Sequence, residues 1–144
     1  RGEESTLIAK HFPKPSDLAL DETKRADVLI VTYGRITEEA IKAKLLLEAQ
    51  GHSTVILKLV KLKPIDLSSF ERLINSISPR RVCVVEEGMK IGGFGEHFLS
   101  GLKLNSRCEI IAIEDFVPQG TLDELYEHCS ISASKIYSRI KKWL

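Results

Sequence analysis

Four apolar runs of strand length recur along the chain: ADVLIVTYG (26–34), STVILKLV (53–60), RVCVVEE (81–87) and EIIAIED (109–115). Unbroken apolar centres suit strands covered on both faces. Helical stretches lie between them. Thr37 is placed to cap the first helix, Glu38 and Glu39 sit where negative charge suits its dipole, and Gly51 ends it. Pro64 turns the next corner and Asp66 caps a helix whose stripe is Phe70, Leu73, Ile74 and Ile77, spaced i, i+3, i+4, i+7 and stopped at Ser78-Pro79. The glycine segment after RVCVVEE opens a third helix. Pro118-Gln119-Gly120 then turns the chain into a capping box, Thr121 to Glu124. A last helix carries Ile136, Ile140 and Trp143 on one side, with Lys135, Arg139, Lys141 and Lys142 mainly off it. Strand alternating with helix predicts a parallel sheet with helices on both faces.

The first 25 residues are read separately. STLIAKHF (5–12) is the candidate for a short extra strand at the sheet edge, and PKPSDLALDETKR (13–25) reads as a connection. The expected organisation is therefore an edge strand and connection over 1–25 and a single domain over 26–144.

Composition excludes several classes of function. With 43% apolar and 28% charged residues the chain is globular rather than disordered. A net charge of +1 gives no general attraction to nucleic acid or anionic lipid. No apolar run reaches the roughly 20 residues that cross a bilayer, and RGEEST has no signal-peptide order. Cys83, Cys108 and Cys129 are odd in number, scattered and without a CxxC pair, so they are expected to be reduced thiols of a cytoplasmic protein. A chain that begins at Arg1 is expected to be a piece of a longer one.

Gly92, Gly93 and Gly95 surround Phe94 between a strand and a helix, as in a phosphate-binding loop. The chemistry does not follow. A Walker loop needs Gly-Lys followed by Ser or Thr, whereas Gly95 precedes Glu96. A dinucleotide fingerprint needs a third glycine after the opening strand; here Phe98 stands there, after a later strand. The glycines are therefore assigned a steric role, letting the backbone enter the helix close to its neighbours. Phe94 either plugs the core or meets another surface.

Glu86, Glu87, Glu114 and Asp115 end two strands, with His97 nearby, and suggest a metal site or an acid/base pair. Neighbours on a strand point to opposite faces, so solvated acids are the expected outcome. His11, His52, His97 and His128 have no ligand spacing. Tyr33-Gly34-Arg35 is a possible anion contact at a helix start. Residue chemistry thus describes an α/β domain without a complete catalytic constellation.

The order of motifs resembles the transketolase C-terminal domain family. Thr32, Gly34, Gly51, Lys63, Pro64 and Asp66 match its strand–turn–helix–strand opening, and VVEEGMKIGGFGEHF is similar to its acidic strand end and glycine corner. The tail, EDFVPQGTLDELYEHCSISASKIYSRIKKWL, resembles the ending of 1-deoxy-D-xylulose-5-phosphate synthases. The resemblance implies a three-layer α/β/α domain whose mainly parallel sheet of about five strands has one antiparallel edge strand. It implies a parent enzyme in which other domains bind thiamine diphosphate and magnesium and join pyruvate, after decarboxylation, to glyceraldehyde 3-phosphate. It implies no catalytic, cofactor or metal residue in this chain, with Gly92, Gly93, Phe94 and Gly95 at an interface with other domains and a second subunit. Transketolase, a 2-oxoacid dehydrogenase β subunit, a 2-oxoacid ferredoxin oxidoreductase and a free-standing binding or oligomerisation module remain alternatives.

Overall fold

The computed structural model describes residues 6–12, 18–59, 67–89, 94–104, 106–113 and 131–144. Five strands form one sheet: β1 (Leu18–Leu20), β2 (Val28–Tyr33), β3 (Thr54–Leu59), β4 (Arg81–Met89) and β5 (Arg107–Ile113). Their order is β1-β3-β2-β4-β5. β3, β2, β4 and β5 run parallel, and β1 lies antiparallel on β3 with Leu18 opposite Leu59. This is the mainly parallel sheet with one antiparallel edge that the resemblance implies.

Alternate side chains of each strand feed two cores, as a two-residue repeat requires. Val28, Ile30, Ile56, Cys83, Val85 and Ile111 pack under helices α1 (Thr6–His11), α2 (Thr37–Ala49) and α5 (Ala133–Lys142), which add Ile8, Ile41, Leu47, Ile136 and Ile140. Leu29, Val31, Val55, Leu57, Val82 and Val84 pack under α3 (Leu67–Ile77) and α4 (Phe94–Ser100), which add Phe70, Ile74 and Phe98. Phe98 is fully buried, edge-on to Phe70 with ring centroids 5.5 Å apart. Burying one such side chain stabilises by roughly 1.5–3 kcal/mol.

The amino-terminal segment differs from expectation. STLIAKHF contributes a helix, α1, and the edge strand is Leu18–Leu20, inside the stretch read as a connection. Ile8 and Phe12 are buried in the core that α2 also lines, so this segment pairs i with i+4 toward a core rather than alternating across a sheet. Asp21 continues the ladder beyond β1: its N–H donates to the Ile56 carbonyl, and its Oδ1 accepts from the Ile56 N–H at 2.8 Å.

Thr37 is not a cap. Gly34, at φ 74°, turns β2 into a 3₁₀ segment, Gly34–Ile36, that runs directly into α2. The residue before the helix, Ile36, is itself helical, and the buried Thr37 hydroxyl has no hydrogen-bond partner among the described residues. The other end of α2 closes as expected. Gly51 adopts φ 86°, and the N–H groups of Gly51 and His52 donate to the carbonyls of Glu48 and Leu47. Lys63, Pro64, Asp66, Glu114, Asp115, the 118–120 turn, the 121–124 box, His128 and Cys129 lie outside the described residues. None of the described helices is long and apolar enough to cross a membrane.

Candidate functional site

The connection after β2 leads to a helix on one face of the sheet, and the connection after β4 to a helix on the other. β2 and β4 are neighbours, so their carboxyl ends form the topological switch point, where open α/β sheets gather ligands. Tyr33 ends β2, Glu86 lies near the end of β4, and Gly95 opens α4. These three residues meet in the crevice.

Glu86 is fully buried. Its Oε1 accepts from the Tyr33 hydroxyl at 2.8 Å, and its Oε2 accepts from the Gly95 N–H at 2.7 Å. Alternation along β4 aims Val82, Val84 and Glu86 at the α4 side, and Tyr33 reaches the same side from β2. Beyond Val85 the ladder shifts: β4 advances four residues, to Met89, where β5 advances two, to Ile113. Such a bulge re-aims the chain at the rim of a sheet. Burial, together with the bond and charge of Glu86, pushes the Tyr33 phenol well above its ordinary range, so it remains a donor.

Gly95 is required by contact rather than by dihedral angle. A Cβ there would lie 2.5 Å from Glu86 Oε2 and 3.0 Å from Val84 Cγ1. The glycine therefore brings backbone against a carboxylate. Gly92 and Gly93 lie outside the described residues; Phe94 begins α4.

Arg35 and Glu87 form a second pair at this end of the sheet. The Arg35 Nε donates to both Glu87 oxygens at 3.0 Å, and its side chain is 66% exposed. Both side chains of the candidate anion contact, Tyr33 and Arg35, are thus turned toward carboxylates. The expectation of solvated strand-end acids is corrected for Glu86, whose burial the sequence conceals because only the approach of α4 covers it. Among the described residues no group of three or more His, Cys, Asp or Glu is arranged to hold a metal ion.

Sequence reasoning also missed Lys44, a buried cation on α2. Its ammonium donates to Asp21 and, at 2.7 Å, to Glu22. Burial pulls its proton affinity down, but the bonds from Asp21 and Glu22 more than offset this and hold it above the usual lysine value. The pair ties edge strand to helix and lies away from the switch point. An acidic stretch just after LAL is the signal that would have found it.

Fold and site together define a doubly wound α/β/α domain whose topological switch point is bridged by its own residues. The chain belongs to the family described as "Transketolase, C-terminal domain", which it matches over residues 18–136. It is 32% identical over 139 residues to the 1-deoxy-D-xylulose-5-phosphate synthase of Rhodopirellula baltica, covering 92% of this chain and 21% of that protein. It is 30% identical to the same enzyme of Parabacteroides distasonis, covering 81% of this chain and 19% of that protein. The chain thus spans about a fifth of the length of these relatives. Among solved structures, a split-gene transketolase described as an inactive beta4 tetramer superposes with TM-score 0.72 at 25% identity, over 87% of this chain and 41% of that one. The transketolase of Campylobacter jejuni shares the fold, with TM-score 0.63 at 18% identity over 88% of this chain and 18% of that one.

Proposed function

We propose that this chain is the C-terminal domain of a cytoplasmic, thiamine-diphosphate-dependent 1-deoxy-D-xylulose-5-phosphate synthase and serves it as a structural and interface domain. The observation that carries this reading is the alignment of most of the chain with about a fifth of each such synthase. In this reading, domains outside these 144 residues hold thiamine diphosphate and magnesium, and they join pyruvate to glyceraldehyde 3-phosphate. The Gly95 amide does not fit a diphosphate, because it already donates to the carboxylate of Glu86. We assign Gly92, Gly93 and Phe94 to packing against other domains and a second subunit, while Gly95, expected at the same interface, is buried against Glu86 and Val84 of this chain. In this reading the side chains of Tyr33 and Arg35, flanking Gly34, are engaged by the carboxylates of Glu86 and Glu87.

Calorimetry tests the division of labour. The isolated chain is expected to show no saturable binding of thiamine diphosphate with magnesium. The protein extended upstream to the length of its relatives is expected to bind it and to condense pyruvate with glyceraldehyde 3-phosphate. Saturable binding by the isolated chain would overturn the proposal. A second reading, the C-terminal domain of a transketolase, is supported by the superposition on the split-gene transketolase; the products formed by the extended protein separate the two.

A further inference from the structure

We propose that Glu86 is an internal ligand of the domain: its carboxylate occupies the α4 side of the sheet at the ends of β2 and β4 and positions the Gly95 amide at the start of α4, in place of a bound anion. This goes beyond the interface reading and does not depend on it.

Three observations converge. The first is place, since the carboxylate lies between the ends of the two strands that define the switch point, where a ligand is expected in such a sheet. The second is contact. Tyr33 O–H and Gly95 N–H come from different elements and converge on the two oxygens of one carboxyl group. The Gly95 amide belongs to the first turn of α4, where backbone N–H groups lack intrahelical acceptors; Glu86 supplies one. The third is fit. The carboxylate is fully buried and sits so close to the backbone that Gly95 has no room for a Cβ. A separate anion would need that same seat. The β4–β5 register shifts between Val85 and Met89, so Glu86 lies at the start of the irregular stretch at the rim of the sheet.

The test uses the chain itself and reads the solvent exchange of the Gly95 amide by NMR, with urea denaturation to show that each variant is folded. In Glu86→Ala the Gly95 amide is expected to exchange about tenfold faster or more, the loss of a hydrogen bond to a charged acceptor. Acetate, the fragment this substitution removes, is expected to slow exchange again along a saturable curve, whereas chloride at equal ionic strength does not. Glu86→Gln, which keeps an acceptor oxygen, is expected to retain most of the protection. Unchanged exchange in Glu86→Ala would overturn the proposal, as would an acetate response no different from that of chloride. If Glu86→Ala does not fold, Tyr33→Phe is read in the same way. Faster Gly95 exchange supports an oriented carboxylate, and an unchanged rate overturns it.

Discussion

The N–H of Gly95 donates to Oε2 of Glu86 at 2.7 Å, and a side chain on Gly95 would begin 2.5 Å from that same oxygen. One contact therefore both occupies this end of the sheet and dictates the residue that faces it.

Gly95→Ala is accordingly expected to destabilise the chain by about 1–3 kcal/mol, the usual cost of overfilling a packed site. Urea denaturation measures it. Combined with Glu86→Ala, the added cost is expected to shrink, because the obstructing oxygen is gone and neighbouring substitutions do not add. Full additivity of the two changes would show that the crowding lies elsewhere.

The Lys44–Asp21 pair makes a second prediction. Both side chains are nearly inaccessible, at 4% and 1% exposure. Lys44→Met or Asp21→Asn alone is expected to cost about 3–5 kcal/mol, since each strands a buried polar partner. Asp21→Asn also weakens the bond to the Ile56 N–H. The double variant is expected to lose less than the sum of the two, as a double-mutant cycle in urea will show.

Ser78 closes α3 at φ 55°, its N–H donating to the Ile74 carbonyl at 3.1 Å. A left-handed conformation costs an L-residue roughly 1–2 kcal/mol, and glycine avoids this at some loss of chain entropy. Ser78→Gly is therefore expected to stabilise by about 0.5–1 kcal/mol and to raise the melting temperature. A lower melting temperature would mean that the Ser78 side chain contributes more than its strain costs.

Alkaline pH probes three groups at once. Burial raises the Cys83 thiol above its usual 9.0. Burial and the Glu86 bond raise the Tyr33 phenol above 10.0, and the Asp21 and Glu22 bonds, outweighing burial, raise Lys44 above 10.5. Each group keeps its proton longer when folded. Their contribution is thus fully present below these usual values and is lost as pH climbs past them. Stability from urea denaturation is expected to fall from about pH 9 upward. Tyr33→Phe is expected to make the slope between about pH 10 and 12 shallower, and an unchanged slope would show that Tyr33 does not contribute.

Much of the architecture is legible in particular residues. Val28 to Val31 are all fully buried, as an unbroken apolar run in a central parallel strand requires. Ile136 and Ile140 are buried where the last helix was expected to carry its stripe, and Phe70, Ile74 and Ile77 are buried on α3. The edge strand was not legible. Leu18–Leu20 is too short for a two-residue pattern to register, and it is held by Asp21 and β3 rather than by its own propensity. The helical start of the chain was missed for a related reason, because only packing on α2 distinguishes α1 from a short strand.

From Val28 onward, the alternation of parallel strands with helices, their apolar faces and the helix stop at Gly51 were determined by the sequence alone, because each depends on residues within a few positions of one another. Tertiary structure decided that Glu86 rather than its neighbour is buried, that Gly95 must lack a side chain, and that Lys44 finds Asp21. Those outcomes join residues far apart in the chain, Tyr33 and Glu86 being 53 positions apart and Lys44 and Asp21 being 23. A charge or a glycine reads the same in sequence whether water or a carboxylate lies against it, and only the packed sheet determines which.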